Sequence, residues 1–172
     1  MKKTKSKSSD FITILFCITS LTIFAQDPHN DENSGLKSNS EQNLNTTKTL
    51  YNGFAKGDIP SVLGTMDEKI VWNEAENFPY ADRNPYIGKE AILNGVFARI
   101  GGEWENFTIS DMQFYPMENN MILVTGYYNG KCKKTGKTIK AQMAHLWWLK
   151  NGKFVKFQQY TDTKQVADAI TN

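Results

Sequence analysis

Residues 141–162 read AQMAHLWWLKNGKFVKFQQYTD. Two apolar, aromatic-rich runs flank Lys150-Asn151-Gly152-Lys153. Asn-Gly between such runs predicts a tight β-hairpin. Successive strand residues face opposite ways. On the first run Ala141, Met143, His145, Trp147 and Leu149 therefore share a face. On the second, Val155, Phe157, Gln159 and Thr161 share one. A histidine among Met and Trp, with an amide on the neighbouring strand, reads as the wall of a pocket.

Outward from the hairpin, three long strands are expected at 103–115, 121–133 and 138–150, with turns at Glu118-Asn119-Asn120 and Thr135-Gly136-Lys137. Asp162 is placed to cap a short C-terminal helix, with Gln165 three residues on. Before the strands, Leu50, Phe54 and Ala55 sit at helical spacing and Gly57 ends that helix. Asp58 caps a second helix, with Pro60 in its first turn. Residues 69–74 (KIVWNE) form a strand, and 75–88 form a loop rich in Pro, Asn and aromatics. A third helix covers 89–100, with Ile92, Val96 and Ile100 on one stripe, and Gly101-Gly102 stops it. Helices segregated from an antiparallel meander describe an α+β fold, with a curved, mostly antiparallel sheet wrapped around N-terminal helices as a cone-shaped α+β barrel.

The 172 residues do not all belong to that domain. Lys2, Lys3, Lys5 and Lys7 precede a 14-residue apolar run, Phe11–Phe24, and Ala25 offers a small residue for cleavage. This is the layout of a secretory signal peptide over 1–25, since a spanning helix needs about 20 apolar residues. The expected location is periplasmic or extracellular, with no stable membrane span after the signal is removed. Residues 26–46, dominated by Asn, Ser, Asp and Glu, read as a disordered linker. The folded domain then covers 47–172. Without residues 1–25, Lys+Arg falls from 20 to 16 and Asp+Glu from 18 to 17, so a net +2 becomes −1. The apparent basicity belongs to the leader, and no nucleic-acid footprint remains. Cys132 is then the one cysteine left, which excludes an intramolecular disulfide and a thiolate metal cluster.

Several segments in this order resemble one known family. They are Phe54-Ala55-Lys56-Gly57-Asp58-Ile59-Pro60, Ile70-Val71-Trp72-Asn73-Glu74, Tyr86-Ile87-Gly88-Lys89-Glu90-Ala91-Ile92, Ala144-His145-Leu146-Trp147, and the run from Gly152 to Thr163. Together they resemble the SnoaL-like branch of the nuclear-transport-factor-two-like superfamily, over essentially all of 47–170. The superfamily includes steroid isomerases, polyketide cyclases, epoxide hydrolases, dehydratases and non-catalytic binding members. The resemblance therefore implies a cone-shaped fold with a pocket and leaves the reaction open. It matches His145 to the histidine that the cyclases carry on the penultimate strand. It matches Gln159 to their last-strand aspartate, and Asn73 to the base of the steroid isomerases. An amide neither gives nor takes a proton at neutral pH, although it donates and accepts hydrogen bonds.

The candidate site is accordingly His145 as acid or base, with Asn73, Gln159, Trp72, Tyr80, Trp147 and Met143 contacting the ligand. Glu74 reads as a solvated strand end, and Asp82 with Arg83 as a surface pair. No phosphate loop and no His-Glu-x-x-His pair is present, so neither a metal nor a cofactor is expected. Three functions follow. The first is binding of a small apolar molecule, which the amides favour. The second is a cofactor-free isomerase, cyclase, dehydratase or hydrolase using His145. The third is a protein-interaction module on the outer sheet face, where Leu146 and Trp148 are also expected to form a homodimer surface.

Overall fold

The structure is a computed structural model that describes residues 29–171. The signal-peptide expectation at 1–25 lies outside the described residues. Helix α1 (His29–Ala55) leads through a left-handed Gly57 into α2 (Ile59–Gly64). Asp58 caps α2, its carboxylate accepting from the Ser61 amide at 3.1 Å. Strand β1 (Met66–Asn73) follows, then the aromatic loop with a 3-10 turn at Ala81–Arg83, and the short β2 (Tyr86–Ile87). A contiguous rod comprises α3 (Lys89–Ile92), a π-turn (Leu93–Phe97) and α4 (Ala98–Glu103). Strands β3 (Trp104–Met117), β4 (Met121–Cys132), β5 (Thr138–Lys150) and β6 (Lys153–Thr161) form the meander, and α5 (Thr163–Ile170) closes the fold.

The sheet runs in the order β2-β1-β6-β5-β4-β3. Only the β1–β6 pairing is parallel; all the others are antiparallel. The sheet curls around the helices without closing, and the core fills its concave side. This is the expected cone-shaped α+β architecture. None of the described helices is long and apolar enough to cross a membrane.

The hairpin turns as expected, with Asn151 and Gly152 at φ 51° and 71°. Both values lie in the left-handed region that a two-residue I′ turn needs. Asp162 caps α5, accepting from the Gln165 amide at 3.0 Å. On β5, Ala141, Met143, His145, Trp147 and Leu149 are all buried. Opposite Trp148 and Leu149 of β5, β6 carries an extra residue, Val155, in a register break, so Phe154 is buried and Val155 is only half-buried.

Two helix boundaries differ from expectation. The stretch 26–46, expected as a disordered linker, is helical from His29 onward. Its polar residues find partners: Asn43 Nδ2 donates to Asn120 Oδ1 at 3.2 Å, and Thr47 Oγ1 to the Asn43 carbonyl at 2.8 Å. Asn43, Thr47, Leu50 and Tyr51 are buried together at helical spacing. Gly101-Gly102 do not stop the third helix, which continues to Glu103. The Tyr80 hydroxyl and Arg99 both engage the Glu103 carboxylate and hold that last turn.

Candidate functional site

The inward alternation of β1 runs Ile70, Trp72, Glu74, and all three are buried. Glu74 sits one step past the end of the ladder, and Asn84 fixes its backbone. The Glu74 amide donates to Asn84 Oδ1 at 3.0 Å, and Asn84 Nδ2 donates to the Glu74 carbonyl at 2.8 Å. Trp72 Nε1 donates to Glu74 Oε1 at 2.7 Å, while Oε2 has no partner. Burial pushes this carboxyl up to about 7, and the neighbouring Trp72 and Gln159 side-chain donors oppose the shift. Glu74 is thus an enclosed acid rather than the solvated strand end expected. The signal that could have found it is the period-two pattern Ile70-x-Trp72-x-Glu74.

His145 lies on the same cavity wall, on β5. Its Nδ1 is 2.7 Å from the Tyr51 hydroxyl, and its Nε2 meets the Tyr128 hydroxyl. The chain of bonds continues at both ends. Trp147 Nε1 donates to the Tyr51 oxygen at 3.0 Å, and Gln159 Nε2 donates to the Tyr128 oxygen at 2.9 Å. Gln159 Oε1 accepts from the Ala75 amide at 3.2 Å, which fixes the orientation of its side chain. Burial pushes His145 down to about 3, so the ring is neutral at physiological pH. Burial likewise raises Tyr51 and Tyr128 well above the usual phenol range. Tyr51 comes from α1 and Tyr128 from the inward face of β4; no local sequence pattern marks either contact.

These groups surround an apolar cavity of about 40 Å³ between the sheet and the helices. Space of that size holds about two or three water molecules. The polar groups Glu74, Gln159, Tyr128, Tyr51 and His145 share it with Leu50, Phe54, Phe97, Ile100 and Phe107. Of the expected site residues, His145, Gln159, Trp72 and Trp147 line it. Asn73 does not: it pairs with Gln158 on the opposite parity to Trp72 and Glu74. Met143 shares the face of His145 but lies farther along β5, opposite Gly126 and Thr161. Tyr80 belongs to a separate cluster, donating to Glu103 at 2.8 Å and accepting from Trp104 Nε1 at 2.9 Å. Arg99 stacks 4.2 Å over its ring and pairs with Asp82 at 2.8 Å. Asp82 therefore partners Arg99 in place of the expected Arg83. Among the described residues no group of three or more His, Cys, Asp or Glu gathers where it could hold a metal.

No family model and no curated protein sequence matches this chain. Solved structures do match. An NTF2-like protein from Burkholderia thailandensis superposes with a TM-score of 0.70 at 28% identity, over 76% of this chain and 98% of that one. This chain has the NTF2-like fold. TerC, a protein co-crystallised with polyporic acid, superposes on the NTF2-like domain with a TM-score of 0.67 at 19% identity, over 75% and 98% of the two chains. A protein from Xanthomonas campestris assigned as a polyketide cyclase gives a TM-score of 0.66 at 13% identity, over 77% and 99%. These two likenesses show the fold alone. The fold thus agrees with the resemblance of the sequence to the nuclear-transport-factor-two-like superfamily.

Proposed function

We propose that this NTF2-like domain is a cofactor-free proton-transfer enzyme of the isomerase or cyclase type, acting on a small, largely apolar carbonyl compound. One observation carries the reading: Glu74 presents a carboxyl oxygen without a partner in an apolar cavity. A carboxyl whose pKa lies near the working pH is suited to take up and return a proton. Glu74 would remove a proton from the carbon beside the carbonyl. The proton would return at another carbon, while the developing enolate oxygen takes hydrogen bonds from the polar wall. Trp72 orients the carboxyl through its indole N–H. Binding of the same kind of molecule without turnover is the second reading, favoured by the amide of Gln159 where the cyclases carry an acid. A ring-sized guest needs more room than 40 Å³, and the half-buried Phe54, Ile100 and Phe107 are the side chains free to move aside. The polyporic acid held by TerC, a protein of similar fold, supports a ring-shaped guest.

The test is incubation with a panel of β,γ-unsaturated ketones in deuterated water, reading conjugation by absorbance and deuterium uptake by mass spectrometry. Wild type should turn over at least one of them, and Glu74→Gln should slow it by about 10²–10⁴-fold. Binding with no exchange, equal in wild type and Glu74→Gln, would replace the proposal with the binding reading.

We further infer that two copies pair through the convex face of the sheet. Leu123, Leu146 and Trp148 are only half-buried there, and Tyr160 is 56% exposed.

A further inference from the structure

We infer that His145 is a positioning residue in one fixed tautomer: Nδ1 accepts from Tyr51, Nε2–H donates to Tyr128, and the Tyr128 hydroxyl keeps its own proton for a ligand oxygen. The inference rests on the proton-transfer reading above only for what that ligand is. The protons of the three groups can be counted. Two phenols and a neutral imidazole hold three, and the two contacts to the ring use two of them. One hydroxyl proton is left over, and the tautomer decides whether Tyr51 or Tyr128 keeps it.

The surroundings of the two hydroxyls differ. The Tyr51 ring stacks on His145 and meets Phe114 and Trp147 edge-on. The one further polar contact of its hydroxyl is the Trp147 indole, which is a donor and cannot accept a proton. A leftover proton on Tyr51 would be buried without an acceptor, which is costly. Both residues border the cavity, but Tyr128 is the one near enough to Glu74 for its negative charge to help keep the phenol protonated. Gln159 touches the Tyr128 oxygen and is anchored on the amide of Ala75, the residue after Glu74. A proton left on Tyr128 would therefore lie on the Glu74 side of the cavity. With both ring nitrogens committed, His145 is a spacer that sets the direction of Tyr128, and it exchanges no proton with the ligand.

The test is long-range proton–nitrogen NMR of the full chain labelled with ¹⁵N-histidine, with His145→Gln used to separate its signals from those of His29. The expected result is a pyrrole-type Nε2 and a pyridine-type Nδ1, unchanged from pH 5.5 to 8. The opposite tautomer, or a ring that titrates within that range, would overturn the inference. This readout needs no turnover, so it stands or falls separately from Glu74→Gln. Where a ketone is turned over, Tyr128→Phe should lower kcat by about 10²–10³-fold. Tyr51→Phe should lower it less, and equal losses would also overturn the assignment.

Discussion

Burial moves Glu74 and His145 in opposite directions, and the two shifts oppose each other in the response of the protein to pH. Glu74 titrates near 4.5 when unfolded and near 7 in the fold. Between those values the native state holds a proton that the unfolded chain has lost. Stability from this group is full below pH 4.5 and declines as pH rises toward 7, by about 3 kcal/mol in all. His145 titrates near 6.5 unfolded and near 3 folded. Its contribution is full above pH 6.5 and is lost as pH falls toward 3. From pH 4.5 to 6.5 the two slopes cancel. Glu74→Gln removes one of them, so the variant should gain on wild type by about 3 kcal/mol between pH 4.5 and 7.5, measured by denaturant melts. A gap that stays constant with pH would show that Glu74 is not shifted. The two residues also differ in how readable they were. His145 stood out from its neighbours in the sequence. Glu74 does not stand out, because a charge at a strand end ordinarily meets solvent and the family resemblance falls on Asn73, one residue away and on the other face. The Tyr51 and Tyr128 partners of His145 lie 94 and 17 residues away, a distance that no local pattern spans.

At the level of elements, local rules worked where local chemistry decides. The Asn151-Gly152 turn, the Asp58 and Asp162 caps and the alternation of β5 all rest on a few adjacent residues. The helix before Thr47 was illegible because its buried face, among the described side chains, includes Asn43 and Thr47, polar residues whose partners lie within the fold. The π-turn at Leu93–Phe97 was also illegible, and it packs closely on the Tyr86 ring. A methyl group on Gly95 would sit 2.1 Å from the Tyr86 ring. That ring is held in place because its hydroxyl donates to the Tyr80 carbonyl at 2.6 Å. The glycine lets the rod lie against β2 while Val96 and Phe97 face the cavity. Gly95→Ala should therefore cost about 1–3 kcal/mol through overpacking, seen as a lower Tm in calorimetry. An unchanged Tm would mean that the rod and β2 part easily.

For the whole molecule, the fold class was legible because the order of helices and strands limits the choices to few architectures. The proposed pairing uses the convex face. If two copies pair there, a charge at its centre will separate them. Trp148→Glu should sediment as a monomer at concentrations where wild type is a dimer, with far-UV circular dichroism unchanged. Monomeric wild type would end the pairing proposal. The sheet also stays open, with β3 as its outermost long strand. Such an edge can recruit the strands of other chains and seed fibres. β3 breaks register between Glu105 and Thr108 and again between Ser110 and Gln113, with Asn106 and Asp111 in left-handed backbone. Each break kinks the strand and interrupts its outward row of amides and carbonyls. No long straight template remains for a passing chain. The irregular strand whose Phe107 and Ile109 line the cavity is thus also a guard against aggregation.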